Sequence, residues 1–146
     1  MLHQHLELFL FFLNVKLFFS MKVIINASDA PAPVGPYNHS VLAGDTLYVS
    51  GQIAVNQAEG RLVMDTIENE THQVMKNLGY ILTAAGMTYD NIVKCAVFVA
   101  DMEQYGRINA VYASYFNDET APARELVQVA NLPKYVNVEI SCIAVK

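Results

Sequence analysis

The stretch VNVEISCIAV, residues 136–145, decides the fold class of this chain. Its apolar residues at positions 136, 138, 140 and 142 alternate with polar residues at 137, 139 and 141, and this period of two is typical of a β-strand with one apolar and one polar side. The stretch NIVKCAVFVA, residues 91–100, is instead nearly all apolar and β-branched, which predicts a strand covered on both sides. The chain therefore contains a sheet, and Glu139 lies on the polar side of its last strand.

Two other segments have the spacing of amphipathic helices. Asp65 is a suitable N-cap for a helix that ends at Gly86, and Asp101 is one for a second helix over Met102–Phe116. Further strands are predicted at Lys22–Asn26, Tyr37–Leu42, Thr46–Ala54 and Arg124–Ala130, with a polar loop at Val55–Leu62. Two helices cannot cover both faces of a sheet of about six strands, so the order βββαβαββ predicts an α+β fold with a mixed sheet and both helices on one face. The other face must meet a partner or water.

The short connection between the last two strands predicts a hairpin and thereby a register. Antiparallel pairing around residues 131–134 places Arg124 opposite Ser141 and Leu126 opposite Glu139. In this register Arg124 and Glu139 share one face of the sheet, close enough to act on one small ligand. A structural ion pair on a solvated sheet face is the alternative that the spacing leaves open.

Length and charge exclude several classes of protein. The chain of 146 residues is one domain long, and 53% apolar with 16% charged residues is the composition of a packed globular domain. Nine Lys and Arg residues against fourteen Asp and Glu residues give a net charge of −5, the wrong sign for a surface that neutralises phosphates. We therefore expect neither a nucleic acid nor a membrane as a partner.

The sequence contains no motif for a metal or a cofactor. Cys95 and Cys142 lie in apolar strands and are expected to be reduced and buried. His39 and His72 have no ligand spacing relative to the cysteines, which predicts ordinary surface or edge histidines. Glycine-rich phosphate loops and the Gly-x-Ser-x-Gly nucleophile motif are missing from the sequence. We expect no metal, no cofactor and, without a convincing export signal, a cytoplasmic location.

The first twenty residues differ from the rest, since thirteen of them are apolar and the composition changes abruptly at Met21. Charged residues interrupt the apolar run, and it has neither a basic start nor a small-residue cleavage site, which argues against a membrane span and a secretory signal. We expect residues 1–20 to be an extension outside the domain and residues 21–146 to be the domain. A signal or anchor, and a segment packed on a partner, are the alternatives.

Several short motifs, in order along the chain, are similar to those of one known family. They are Gly35-Pro36-Tyr37, Val49–Ile53, Phe98-Val99, Ile108–Tyr112, Pro122-Ala123-Arg124, Leu132-Pro133-Lys134 and Val138-Glu139-Ile140. From about residue 22 to residue 145 the chain resembles the RidA/YjgF family of enamine and imine deaminases. The resemblance implies a chorismate-mutase-like fold, assembled as a homotrimer with small-ligand clefts at the subunit boundaries. It also implies a hydrolase of the 2-iminobutanoate/2-iminopropanoate deaminase type, which converts species such as 2-aminoacrylate to 2-keto acids and ammonia without a cofactor.

The resemblance also implies roles for individual residues. Arg124 would hold the substrate carboxylate with its planar guanidinium group. Glu139 would orient or deprotonate the attacking water, helped by Ser50 and Tyr37. Asn109 would line the cleft.

Gly51 and Leu126 complete the predicted set of site residues. Gly51 either lets the backbone approach a ligand or marks a β-bulge. Leu126 stands where relatives often have Cys, and Asn131 where a basic residue is common, so the preferred substrate side chain stays open. Two other functions compete with the deaminase: a non-catalytic trimer that binds small carboxylates as a regulator, and an endoribonuclease, which the acidic charge disfavours.

Overall fold

A computed structural model describes residues 22–146, and the predicted extension over residues 1–20 lies outside this range. The strands are β1 (Lys22–Ile25), β2 (Ser40–Ala43), β3 (Thr46–Gln52), β4 (Val55–Asn56), β5 (Arg61–Leu62), β6 (Ile92–Val99), β7 (Ala123–Gln128) and β8 (Val138–Val145). The α-helices are α1 (Ile67–Ala84) and α2 (Tyr105–Ala113). These are the two α-helices of residues 22–146, and neither is long and apolar enough to cross a membrane.

Six strands form one mixed sheet in the order β1-β2-β3-β8-β6-β7. Neighbouring strands are antiparallel except β6 and β7, which are parallel because α2 lies in the connection between them and carries the chain back to the same end of the sheet. Helix α1 packs on β3 and β8, and α2 packs beside α1. The predicted α+β class, the mixed sheet and the single helix-covered face are confirmed.

The predicted register of the last two strands is wrong. Strand β6 lies between β7 and β8, so that Cys95 pairs with Arg124 on one side and with Cys142 on the other. Nine residues, 129–137, connect β7 to β8. A connection of this length can cross the end of β6, since two strands separated by a third lie about 10 Å apart. The pairs expected across a hairpin, 124 with 141 and 126 with 139, therefore do not form.

The apolar side of β8 lies at the centre of the core. Val138, Ile140, Cys142 and Ala144 are all buried, as the period of two predicts. Buried apolar residues of α1 pack in the same core and show the helical spacing that the sequence predicts for this segment: Ile67, Val74, Met75, Leu78, Ile81, Leu82 and, at the C-cap, Ala85. The helix then ends at Gly86, whose φ of 70° is the left-handed conformation that glycine adopts most easily.

Within residues 22–146, strand β6 is covered on one side only, so the predicted cover on both sides is not met by this part of the chain. Cys95, Val97 and Val99 are buried under the helices. On the other side Phe98 is half-buried and Val93 is 48% exposed, because both α-helices lie on the opposite face. The apolar residues of this second face are available to a partner.

Three local elements differ from the prediction. Thr66, rather than its neighbour Asp65, is the N-cap of α1, since its side chain accepts a hydrogen bond from the Asn69 backbone N–H at 3.1 Å. Asp101 does cap the second helical segment, but the first turn, Met102–Gln104, is a 3-10 helix and the α-helix begins three residues later. The predicted polar loop at 55–62 contains the small hairpin β4–β5, with a turn that Gly60 closes at a φ of 66°.

His39 ties the proline-rich loop to β2 and is buried, so the prediction of a surface or edge histidine is wrong for this residue. Its Nδ1 accepts a hydrogen bond from the Ala27 N–H at 3.0 Å, and its Nε2 lies 2.6 Å from the Pro31 carbonyl oxygen. Because an N–H can only donate and a carbonyl can only accept, the proton is on Nε2. His39 thereby holds the loop that carries Tyr37.

The buried carboxylate of Glu70 joins α1 to the beginning of β8. Its Oε1 accepts from the backbone N–H groups of Asn137 and Val138 at 2.6 and 3.3 Å, and its Oε2 accepts from Asn137 Nδ2 at 2.8 Å. Glu70 is fully buried, so if its carboxylate were removed, water could not take its place as the acceptor for these three donors. This contact sets the point at which β8 enters the sheet, two residues before Glu139.

We expect Glu70→Ala to lower the free energy of unfolding by about 3 kcal/mol, since the change leaves buried donors without an acceptor and opens a cavity. Glu70→Gln is the matched control and should cost about 1 kcal/mol, because the Asn137 amide can turn to preserve its hydrogen bond. Urea unfolding of each variant at one fixed chain concentration measures both values. Equal stability of Glu70→Ala and the unmodified chain would contradict the structural role of this contact.

Candidate functional site

Arg124 lies on the helix-covered face of the edge strand β7, where residues of α2 surround it. Its Nη1 donates to Asn109 Oδ1 at 2.8 Å, and its Nη2 donates to the Tyr105 hydroxyl at 3.3 Å. The guanidinium carbon lies 4.7 Å from the centroid of the Tyr112 ring. The predicted pair Arg124 and Asn109 is therefore brought together, with two tyrosines beside it.

The positive charge of Arg124 has no carboxylate partner within residues 22–146. The ion pairs of this range are Arg61 with Glu59, Lys94 with Glu125 and Arg107 with Glu68. A half-buried guanidinium without a counter-charge, with N–H groups left over from two hydrogen bonds, is suited to bind an anion.

Leu126 is two residues beyond Arg124 and therefore on the same face of β7. It is half-buried and packs against the core. The strand thus presents a cationic and an apolar side chain next to each other at the edge of the sheet.

Glu139 lies on the other face of the sheet, the one without helices. It pairs with Phe98 of β6, which in turn pairs with Val127 of β7. No hydrogen bond or ion pair reaches its carboxylate from the described part of the chain. Partial burial raises the pKa of the Glu139 carboxyl above its ordinary value, because removal from water disfavours the charged form.

Gly51 makes room for Glu139. A β-bulge interrupts the pairing of β3 with β8 between Val49 and Gln52, which confirms that Gly51 marks a bulge. A Cβ atom at position 51 would lie 2.9 Å from Cδ of Glu139, closer than carbon atoms approach without displacement. The glycine therefore allows the Glu139 carboxylate to lie against the backbone of β3.

Ser50 and Tyr37 lie at the same end of β3 as this glycine. Ser50 Oγ donates to the Asn38 carbonyl oxygen at 2.7 Å, which fixes the loop one residue after Tyr37. The Tyr37 hydroxyl accepts from the Val34 N–H at 3.3 Å, and the side chain is 46% exposed. A single chain thus contains one cluster around Glu139 and Gly51, which follows Ser50 in the chain, and a second cluster around Arg124 and Asn109.

The prediction that Arg124 and Glu139 share one sheet face is wrong. Paired residues of neighbouring strands point to the same side, and Arg124 is aligned with the buried Cys95, whereas Glu139 is aligned with Phe98 on the uncovered face. The interposed strand β6 shifts the alignment by one residue, which exchanges the two sides. An ion pair between Arg124 and Glu139, the alternative interpretation, is excluded for the same reason.

Two residues around Arg124 were not among the predicted site residues. Tyr105 and Tyr112 are spaced seven apart, and the helical spacing predicted for this segment places both on one face without separating core residues from site residues. Tyr112 is indeed buried, but Tyr105 is 42% exposed. The chain order β6, α2, β7 would place α2 beside Arg124 only if β6 and β7 were known to be parallel, and the sequence does not show this pairing.

One cavity of the described residues lies away from Arg124 and Glu139. It lies between the β4–β5 hairpin and α1, its volume is about 540 Å³, and its lining includes Arg61, Asp65, His72 and Lys76 but none of the predicted site residues. His72 is half-buried there, with Nδ1 2.9 Å from the Tyr115 hydroxyl. Over residues 22–146, no three His, Cys, Asp or Glu side chains are grouped closely enough to hold a metal ion.

Comparison with known proteins gives consistent matches over most of the chain. A family model described as Endoribonuclease L-PSP matches residues 27–146. A 2-iminobutanoate/2-iminopropanoate deaminase of Mus musculus is 42% identical over 126 residues, which cover 86% of this chain and 93% of that protein. A RutC family protein of Synechocystis sp. is 46% identical over 123 residues, which cover 84% of this chain and 95% of that protein.

A solved structure extends the similarity to three dimensions. E. coli TdcF with bound serine superposes with a TM-score of 0.80 at 37% identity, covering 86% of this chain and 99% of that chain. Matches of this extent and identity, with the sheet order and helix placement described above, show that the chain belongs to the RidA/YjgF family.

Proposed function

We propose that this protein hydrolyses reactive enamines and imines of small 2-amino acids to 2-keto acids and ammonia, as a 2-iminobutanoate/2-iminopropanoate deaminase. The observation that carries the proposal is the uncompensated guanidinium of Arg124, held by Asn109 Oδ1 at 2.8 Å beside the apolar Leu126. A fixed guanidinium next to an apolar wall fits a small molecule with a carboxylate and a short side chain. The mammalian relative with the deaminase name and the relative that binds serine, an amino acid with such a carboxylate, support this class of ligand.

Glu139 is the second half of the proposed site. In the reaction, water adds to the protonated C=N bond, and the resulting carbinolamine collapses to a C=O bond and ammonia. Glu139 would accept a proton from the attacking water and return it to the leaving nitrogen. Burial raises the pKa of this carboxyl group, which suits it to both tasks. Its carboxylate is a stronger base than that of an ordinary glutamate, and its protonated form can act as the general acid near neutral pH.

The remaining residues of the proposed site have supporting tasks. Ser50 Oγ, whose hydrogen is donated to the Asn38 carbonyl oxygen, would accept a hydrogen bond from the water, and Tyr37 would close the site from the loop that Ser50 fixes. Gly51 leaves the space that the Glu139 carboxylate occupies. Leu126 would contact the substrate side chain. Because water is the attacking group, the proposed reaction needs neither a covalent nucleophile nor a cofactor.

The two halves belong to opposite faces of one sheet, so we infer that each site forms between two subunits. A contact that joins one face of a subunit to a different face of the next is heterologous, and a closed ring is the arrangement in which every such contact is satisfied. The uncovered sheet face supports this, since Tyr48 is 51% exposed and Ile24 and Val127 are similarly exposed in the single chain. We propose a homotrimer in which this face lies inside the assembly.

Regulator and endoribonuclease remain as competing functions within the family. A regulator would bind small carboxylates through Arg124 without turnover, and Glu139 would then have no task that explains its position against Gly51. The name endoribonuclease belongs to the family model, but the net charge of −5 opposes an RNA-binding surface. The position of Glu139 and the acidic charge therefore favour the deaminase over both.

We expect Arg124→Lys and Glu139→Gln to fail in different ways. Arg124→Lys replaces a planar two-point contact with a mobile point charge, so affinity for 2-oxobutanoate and turnover should both fall, turnover by about 10²-fold. Glu139→Gln keeps the size of the side chain but removes the base, so turnover should fall by about 10²–10⁴-fold while affinity for the keto acid changes little. Turnover is measured as keto-acid release from imines generated in situ by an amino-acid oxidase, and affinity by calorimetry.

The pH profile gives a second readout of Glu139. In the unmodified protein turnover should fall as the pH drops through the raised pKa of this carboxyl, because the protonated form cannot accept a proton from water. The Glu139→Gln variant should lack this acidic limb. Unchanged turnover in Arg124→Lys, or an acidic limb that survives in Glu139→Gln, would refute the proposed roles.

The assembly has its own test. Light scattering at micromolar concentration should give three times the mass of one chain, since a sheet face with exposed Tyr48 and Val127 is covered only by other subunits. Tyr48→Glu, which brings a charge to this face, should dissociate the trimer and abolish turnover together. An active monomer would contradict the intersubunit site.

A further inference from the structure

Arg124 is surrounded by two aromatic rings, and no carboxylate among residues 22–146 pairs with it. The guanidinium carbon lies 4.7 Å from the centroid of Tyr112, within the range of a cation–π contact, and 5.9 Å from that of Tyr105. Two hydrogen bonds, to Asn109 and to the Tyr105 hydroxyl, restrain the edges of the same group. The plane of the guanidinium is thus restrained from its face and from two edges.

The Tyr112 ring is itself immobile. It is 6% exposed, and it packs on Phe116 with ring centroids 4.8 Å apart. Tyr112 lies on α2, in the crossover that connects the parallel strands β6 and β7. A rigid ring under a long and flexible side chain removes much of the conformational freedom that Arg124 would otherwise lose on binding a ligand.

The Tyr112 hydroxyl takes no part in this contact. It is buried, it forms no hydrogen bond to a nitrogen or oxygen atom among residues 22–146, and the Cys95 thiol is a polar group beside it. Burial, and then the contact with the Cys95 thiol, raises the pKa of this hydroxyl, so the group stays neutral and supplies no counter-charge to Arg124. Because Arg124 donates to Asn109 and to Tyr105 rather than to this hydroxyl, the face of the ring is the part of Tyr112 that acts on Arg124.

We propose that Tyr112 is a positioning residue, whose ring face orients the Arg124 guanidinium for the substrate carboxylate while leaving its positive charge unneutralised. A carboxylate in this position would also hold Arg124, but it would compete with the substrate for the same N–H groups. An aromatic face holds the cation through its quadrupole and leaves the outward N–H groups free. This inference rests on the proposed function, in which Arg124 binds the carboxylate.

Fluorinated rings test the proposal with little risk to the fold. Tyr112→Phe removes the hydroxyl and keeps the ring, so it should bind 2-oxobutanoate as the unmodified protein does, with a similar Tm. Replacing that phenylalanine by its mono-, di- and trifluorinated forms withdraws charge from the ring face at nearly constant volume. Affinity should then decline stepwise with each fluorine, to a total of about tenfold, with KM rising and kcat nearly constant.

Tyr112→Leu and a double-substitution cycle complete the test. Tyr112→Leu should weaken 2-oxobutanoate binding about tenfold, but much less in an Arg124→Lys background, because the effect passes through Arg124. Equal losses in both backgrounds would show a merely structural role. Weak binding in Tyr112→Phe would assign the effect to the hydroxyl, and affinity independent of fluorination would likewise overturn the proposal.

The binding measurement separates this inference from the proposed reaction. If the unmodified protein releases no keto acid from imines but its affinity for 2-oxobutanoate follows the fluorine series, the deaminase function fails and the role of Tyr112 stands. If the unmodified protein is an active deaminase and the series leaves affinity unchanged, the role of Tyr112 fails and the function stands.

Discussion

The parallel pairing of β6 with β7 is the constraint on which the arrangement of this protein depends. A parallel pair requires a crossover connection, and α2 is that crossover. Its consequences follow in order: β7 becomes the edge strand, β6 separates it from β8, and Arg124 faces α2 rather than the open side of the sheet. The groups that restrain Arg124, namely Asn109, Tyr105 and Tyr112, come from this one helix.

The same constraint explains why the two ionisable groups of the proposed site have no counter-charge among residues 22–146. Glu139 is partly buried beside Gly51, and Arg124 is half-buried under α2, yet the sheet lies between them. Partial burial without a counter-charge costs stability, and a protein retains such groups where binding or catalysis uses them. Glu70 on helix α1 helps to position Glu139, because its hydrogen bonds to the backbone of Asn137 and Val138 fix the point where β8 enters the sheet. We therefore regard the two clusters as complementary halves that a neighbouring subunit completes.

The sequence carries enough information for the fold class but not for the strand order. Alternation along residues 136–145 and helical spacing along α1 both report burial directly, and both predictions are confirmed. Strand pairing is a non-local property, and a nine-residue connection suits a hairpin as well as a step over one strand, so Arg124 was assigned to the wrong face. The buried His39 and Glu70 escaped prediction for a related reason, since their hydrogen-bond partners lie far away in sequence or on loops without a pattern. The sequence left two interpretations of Gly51, and the register shift between Val49 and Gln52 favours the bulge.

Mixing two inactive proteins tests directly whether Arg124 and Glu139 of different subunits form one site. Arg124→Lys and Glu139→Gln chains, co-expressed in equal amounts, form trimers in which some boundaries combine an intact Arg124 with an intact Glu139. In a three-membered ring with random assembly about a quarter of all boundaries are intact, so the mixture should recover about a quarter of the unmodified turnover. Turnover no higher than that of the two parent variants would contradict the account, because it would show that both residues must come from the same chain.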